Sequence, residues 1–147
     1  MRQEFDQYSN VRPCRAFEGN PLNYQDGIDL VDFRENTEGM YGGVEWSPVD
    51  GEIRAALETD PNFSRFASIP PEEMAFSSRI ITWKGATRLI RAAFEYAKKH
   101  GYPTVTVVEK PNVLRETSGM MMDAARAVAA DYPGIDLWDT NIDAMVM

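Results

Sequence analysis

At 147 residues, with 44% hydrophobic and 26% charged residues, the chain has the composition of a globular protein and the length of one domain, which buries roughly 68–70% of its unfolded surface. Its 15 basic and 23 acidic residues leave a net charge of −8, which opposes binding to nucleic acid or an anionic membrane, and no apolar run nears the length of a membrane span. The lone Cys14 excludes an internal disulfide and the residues after Met1 are no signal peptide, so a cytoplasmic setting is expected.

Residues 2–8 have helical character and run into Val11-Arg12-Pro13, where proline disfavours helix at the residue before it. Residues 14–17 read as a short strand. After a turn-rich stretch, residues 28–34 read as a strand feeding a loop over 35–39, and 41–46 resume extended character. Residues 47–71 hold four prolines and scattered charges. They read as an excursion from the domain, a candidate arm, with a short helix over 52–57.

Residues 74–83 return to strand composition. Ala86, Leu89, Ile90, Ala93, Phe94 and Ala97 then recur at helical spacing, and Lys98-Lys99-His100-Gly101 supplies cations and a glycine stop. A β-branched strand over 104–108, a helix over 117–132 ended by Pro133-Gly134, a strand over 135–138 and an apolar run into a further helix complete the order. Alternating strands and helices predict an α/β fold, with helices packed on a mixed sheet. Cys14 has no histidine near it in sequence and reads as a packing residue. His100 reads as a helix-end charge, and Met120-Met121-Met122 as core or interface packing.

The loop carries the chemistry. Asp32-Phe33-Arg34-Glu35-Asn36-Thr37-Glu38-Gly39-Met40-Tyr41 delivers an arginine and a tyrosine seven residues apart. Arginine offers a fixed fork of donors to a carboxylate, and a tyrosine hydroxyl can pass a proton. Singly, such residues are ordinary surface groups, as is a lysine at a strand end. Here they stand together with Arg2-Gln3-Glu4, Tyr8-Ser9-Asn10-Val11-Arg12-Pro13, Val107-Val108-Glu109-Lys110-Pro111-Asn112 and Asn141-Ile142-Asp143-Ala144-Met145.

In that order, along essentially the whole chain, these segments resemble the β-decarboxylating dehydrogenases, the isocitrate/isopropylmalate dehydrogenase family. The resemblance implies the small, dimerising domain of that fold, with residues 1–147 as one domain, a clasp arm over 47–71, and the large cofactor-binding domain outside this chain. It implies that Arg2, Arg12 and Arg34, with Asn112, bind substrate carboxylates, and that Lys110 assists removal of a hydroxyl proton. Tyr41 then protonates the enol left after CO2 departs, and Asp143 helps to hold Mg2+ or Mn2+. NAD or NADP is the implied oxidant, with NAD preferred, although no cofactor-binding residue is assigned here and GxGxxG is absent. Family sites are shared across a two-fold axis, so a homodimer is implied.

Arg34-Glu35-Asn36-Thr37 favours isocitrate as substrate, then homoisocitrate or isopropylmalate. Glu109 departs from the histidine of many relatives and would raise the affinity of Lys110 for its proton if both side chains pointed the same way. With the cofactor site and two metal ligands outside these residues, the isolated chain is expected to be inactive. The alternatives are a standalone dimeric module that binds carboxylates or serves a structural or regulatory role, and, ranked last, a lyase or decarboxylase working without NAD.

Overall fold

The computed structural model describes residues 1–146, with Met147 outside the described residues. Two compact units are present, residues 1–39 with the chain from Ile80 onward, and Met40–Arg79.

In the first unit, β1 (Ser9–Arg15) pairs antiparallel with β2 (Asp29–Glu35), with Asn10 opposite Arg34, Arg12 opposite Asp32 and Pro13 opposite Val31. The backbone bonds Ala16 N to Ile28 O (2.8 Å) and Asn36 N to Tyr8 O (3.0 Å) fix the phase of the ladder. Even-numbered positions of β1 exchange hydrogen bonds with β2, and odd-numbered ones turn their amides outward. Pro13, which has no amide to donate, falls at an outward position and interrupts no bond.

This corrects the expected helix over 2–8 and extends the short strand expected at 14–17. Residues 2–6 form only a turn, with Phe5 N bonded to Met1 O and Gln7 N to Arg2 O. The left-handed Asp6 (φ 44°) ends it. Cys14, expected to pack, is exposed on the outward face of β1.

The second unit contains a 3-10 turn (Met40–Gly42), β3 (Glu45–Trp46), α1 (Gly51–Glu58), a 3-10 helix (Pro61–Phe66) and β4 (Phe76–Ser77), which pairs antiparallel with β3. The extended runs expected over 41–46 and 74–83 shrink to these two-residue strands. Of its residues only Val49 is a buried hydrophobic. Arg54 organises the unit instead. Its Nη2 donates to Ala67 O (2.6 Å), its Nη1 to Ile69 O (3.1 Å) and its Nε to Glu58 Oε1 (2.6 Å), while its guanidinium lies over the Phe63 ring (5.1 Å).

Back in the first unit, α2 (Trp83–His100) begins at Thr82, whose hydroxyl accepts from Gly85 N, and ends at the left-handed Gly101. β5 (Thr104–Glu109), α3 (Arg115–Ala129), β6 (Asp136–Asn141) and α4 (Ile142–Met145) follow, with β5 and β6 parallel. The expected helices and strands of this half recur within a few residues. Among the described residues, pairing is distributed over three two-stranded ladders. Phe94, wholly buried, stacks on Tyr132 (5.1 Å) among Leu89, Val107, Met121 and Val128.

Phe33 of β2 meets Tyr96 of α2 edge-on (5.4 Å), and Tyr102 donates to Asp29 Oδ1 (2.6 Å), which also accepts from Arg15 Nε (2.9 Å). These odd-numbered residues of the β1–β2 ladder therefore face α2. The Tyr102 hydroxyl first, and the Arg15 guanidinium after it, hold the Asp29 carboxyl below its usual range, and the same bond to Asp29 raises Tyr102. Among the described residues no helix is long and apolar enough to cross a membrane.

Candidate carboxylate site

Because side chains alternate along a strand, the register that turns Phe33 toward α2 places Asn10, Arg12, Asp32 and Arg34 together on the opposite face of the ladder. Arg12 and Arg34 are diagonal neighbours there, a relationship in which Cα atoms lie roughly 7–8 Å apart and long side chains can reach one ligand. Arg12 Nε donates to Asn10 Oδ1 (2.9 Å), and Arg12 Nη1 stands 4.0 Å from Asp32 Oδ2. Arg2 lies in the exposed turn just before β1.

The loop after Arg34 caps itself. Glu35 Oε1 accepts from Asn36 N (2.9 Å), Thr37 N (2.7 Å), Thr37 Oγ1 (2.8 Å) and Glu38 N (3.0 Å). Glu38 then accepts from Thr82 N (2.8 Å) and Thr82 Oγ1 (2.7 Å), which places a carboxylate at the positive end of α2. A Cβ at Gly85 would collide with that carboxylate. Asn36 is buried, and its Nδ2 donates to Gln7 O (2.9 Å), tying the loop to the segment that carries Arg2. Sequence reasoning included Glu35, Asn36 and Glu38 in the motif but gave them no role. An acid followed by three successive backbone donors was the available signal.

Lys110 and Asp143 meet at the other ladder. Glu109 pairs with Asn141 at the carboxyl ends of the parallel strands, so Lys110 leaves β5 beside the first turn of α4, and its ammonium forms an ion pair with Asp143 Oδ2. The carboxyl end of parallel strands is where open α/β sheets place ligands. The Lys110 carbonyl accepts from Val113 N (3.1 Å) and Leu114 N (2.9 Å), forming the turn on which Asn112 is exposed. Glu109 Oε2 accepts from the buried Ser118 Oγ (2.9 Å) and from the Lys110 amide (3.3 Å).

Arg12 and Arg34 thus stand on one ladder, Arg2 in the turn before it, and the Lys110–Asp143 pair at the end of another. Tyr41 belongs to the separate unit, exposed in its 3-10 turn. Among the described residues no group of three His, Cys, Asp or Glu is placed to hold a metal ion, and the one expected ligand, Asp143, is engaged by an ammonium. These residues do not by themselves form a metal centre.

Residues 1–147 match the isocitrate/isopropylmalate dehydrogenase family throughout. The chain is 34% identical, over its whole length and 35% of the relative's, to a probable NAD isocitrate dehydrogenase subunit alpha, mitochondrial, of Caenorhabditis elegans. It is 37% identical, over its whole length and 38% of the relative's, to the 3-isopropylmalate dehydrogenase of Archaeoglobus fulgidus. The crystal structure of isocitrate dehydrogenase from Methylococcus capsulatus superposes with a TM-score of 0.79 at 37% identity, covering 99% of this chain and 39% of that one. This chain therefore spans little more than a third of the length of the relatives it matches. Agreement in sequence over its full length, joined to agreement in fold, places it in the isocitrate/isopropylmalate dehydrogenase family.

Proposed function

We propose that the chain supplies the small domain of an NAD(P)-dependent oxidative decarboxylase of a 3-carboxy-2-hydroxy acid, with isocitrate the first substrate and homoisocitrate or isopropylmalate the next. The observation that carries this reading is the shared face of Arg12 and Arg34. Two guanidinium forks on one ladder face suit a polycarboxylate, and a −8 chain needs such a local concentration of positive charge to hold an anion.

In this reading Arg2, Arg12 and Arg34, with Asn112, orient the acid. Lys110, in its neutral amine form, assists removal of the hydroxyl proton, and Tyr41 delivers a proton to the enol carbon once CO2 has left. Asp143 offers one carboxylate to a divalent cation whose remaining ligands lie elsewhere. The unit Met40–Arg79, which contains the segment 47–71, acts as the clasp of a homodimer, and the site is completed between protomers. A cytoplasmic setting suits the free, exposed thiol of Cys14.

Titration calorimetry tests the core of this reading. Isocitrate should give saturable heat with the chain and none with Arg34→Gln, while steady NAD(P)H formation by the chain alone is not expected. Absence of saturable heat from the unsubstituted chain would instead support a purely structural or regulatory module.

A further inference from the structure

Arg88 lies in the second turn of α2, outside every motif that identifies the family, yet it reaches both segments that flank the arginine face. Its Nη1 forms an ion pair with Asp6 Oδ1 (2.7 Å), its Nη2 donates to Thr37 Oγ1 (2.8 Å), and its guanidinium lies over the Tyr8 ring (4.6 Å). The Arg88 side chain is 23% exposed and that of Asp6 70%, so the ion pair lies at the surface while the bond to Thr37 is partly buried. Asp6 is the only non-glycine residue with a positive φ among the described residues. A left-handed residue off glycine is held by its surroundings, and here the Arg88 guanidinium binds its side chain. Thr37 also donates to Glu35 Oε1, so the same hydroxyl joins Arg88 to the self-capped loop.

We propose that Arg88 is a positioning residue that fastens the turn bearing Arg2 and the loop following Arg34 to the rigid helix α2, setting the spacing of the carboxylate-binding arginines without touching the ligand. Its use for ligand binding rests on the carboxylate reading above. The fastening itself does not. Arginine is suited to the role because its planar fork serves two acceptors at once while its face covers a ring, whereas a lysine head is a single point.

Amide hydrogen exchange by NMR on the full chain tests the fastening. Arg88→Gln should speed exchange at Gln7, Tyr8, Asn36, Thr37 and Glu38 by about tenfold or more, with β5 and α3 amides within about twofold of the unsubstituted chain. Arg88→Lys should restore protection to one of the two segments, not both. Asp6→Asn tolerates the same backbone conformation and should speed exchange at Thr37 and Glu38, which Asp6 does not contact. It serves in place of Arg88→Gln should that variant fail to fold.

Unchanged protection in the loop, acceleration spread evenly over β5 and α3, or full restoration by lysine would each overturn the proposal. Isocitrate titration run in parallel separates the two claims. Heat absent from the unsubstituted chain refutes the carboxylate reading, while the exchange result still decides whether Arg88 fastens the segments.

Discussion

Arg12 Nη1 stands 4.0 Å from Asp32 Oδ2 across the β1–β2 ladder, so the face that gathers the arginines also carries its own counter-ion. Both side chains are about half exposed, and such a pair contributes roughly 0–1 kcal/mol to stability. Its effect on the carboxylate that this face is proposed to bind is larger in consequence, because the Asp32 carboxylate repels an incoming anion.

Asp32→Asn should therefore tighten isocitrate binding by about threefold to tenfold at low ionic strength, with little change in melting temperature. The gain should shrink in about 0.5 M NaCl, where screening acts over only a few ångströms. Calorimetric titration at two salt concentrations checks both statements, and weaker binding by Asp32→Asn would contradict them.

Lys110, just after β5, and Asp143, in the first turn of α4, form an ion pair with side chains 33% and 62% exposed, beyond the last paired residues of the ladder. An exposed pair of this kind directs side chains more than it stabilises the fold. A double-mutant cycle of Lys110→Met and Asp143→Asn, read by urea denaturation, should give a coupling of about 0.2–1 kcal/mol. A coupling near 3 kcal/mol would make the pair a structural support, contrary to its exposure.

Asp29 gives a pH signature. Its carboxyl is held down chiefly by the Tyr102 hydroxyl and then by Arg15, so its contribution to stability is fully present above the unfolded pKa of about 3.9 and is lost as pH falls through its lower folded value. The melting temperature of the unsubstituted chain should exceed that of Asp29→Asn from neutrality down to about pH 5, with the gap closing below about pH 3. Tyr102 acts oppositely. Its raised pKa adds stability below about pH 10 that is lost as pH climbs through its folded value. Thermal scans across both limbs provide the check, and a gap that persists unchanged at pH 2.5 contradicts the acid limb.

Arg54 takes the place of a core in the unit Met40–Arg79, where one guanidinium ties two loop carbonyls, a carboxylate and a ring. Arg54→Met keeps the aliphatic stem and removes the bonds, which at roughly 1.5–3 kcal/mol for each charged hydrogen bond is enough to open so small a unit. Limited proteolysis with mass mapping should show cleavage within residues 40–79 at least about tenfold faster, with α2 and α3 intact. Cleavage at the original rate would remove Arg54 from this role.

What could be read from sequence was local or supported by several segments at once. The apolar spacing of Ala86 through Ala97 and the stop at Gly101 need no knowledge of partners, and both reappear in α2. The run beginning at residue 2 misled because a helix-like pattern over a few residues closes only one turn before β1 takes over at Ser9, and the strand was underestimated because the harm done by Pro13 depends on the direction of its missing amide. That direction is set by a strand about twenty residues away. The arginines were legible as a motif, but their common face was not, since it follows from register. Arg88 was invisible for a similar reason, its acceptors lying 82 and 51 residues away along the chain.

The proline at position 13 has a further consequence. With its amide-less nitrogen on the solvent side of β1, that edge presents an acceptor but no donor at the point where another chain's strand would register against it. A short edge with a gap in its donor row is a poor template for intermolecular β-pairing. The ladder that carries Arg12 and Arg34 on one face is thus guarded against sticky self-association along its edge by the residue between Arg12 and Cys14.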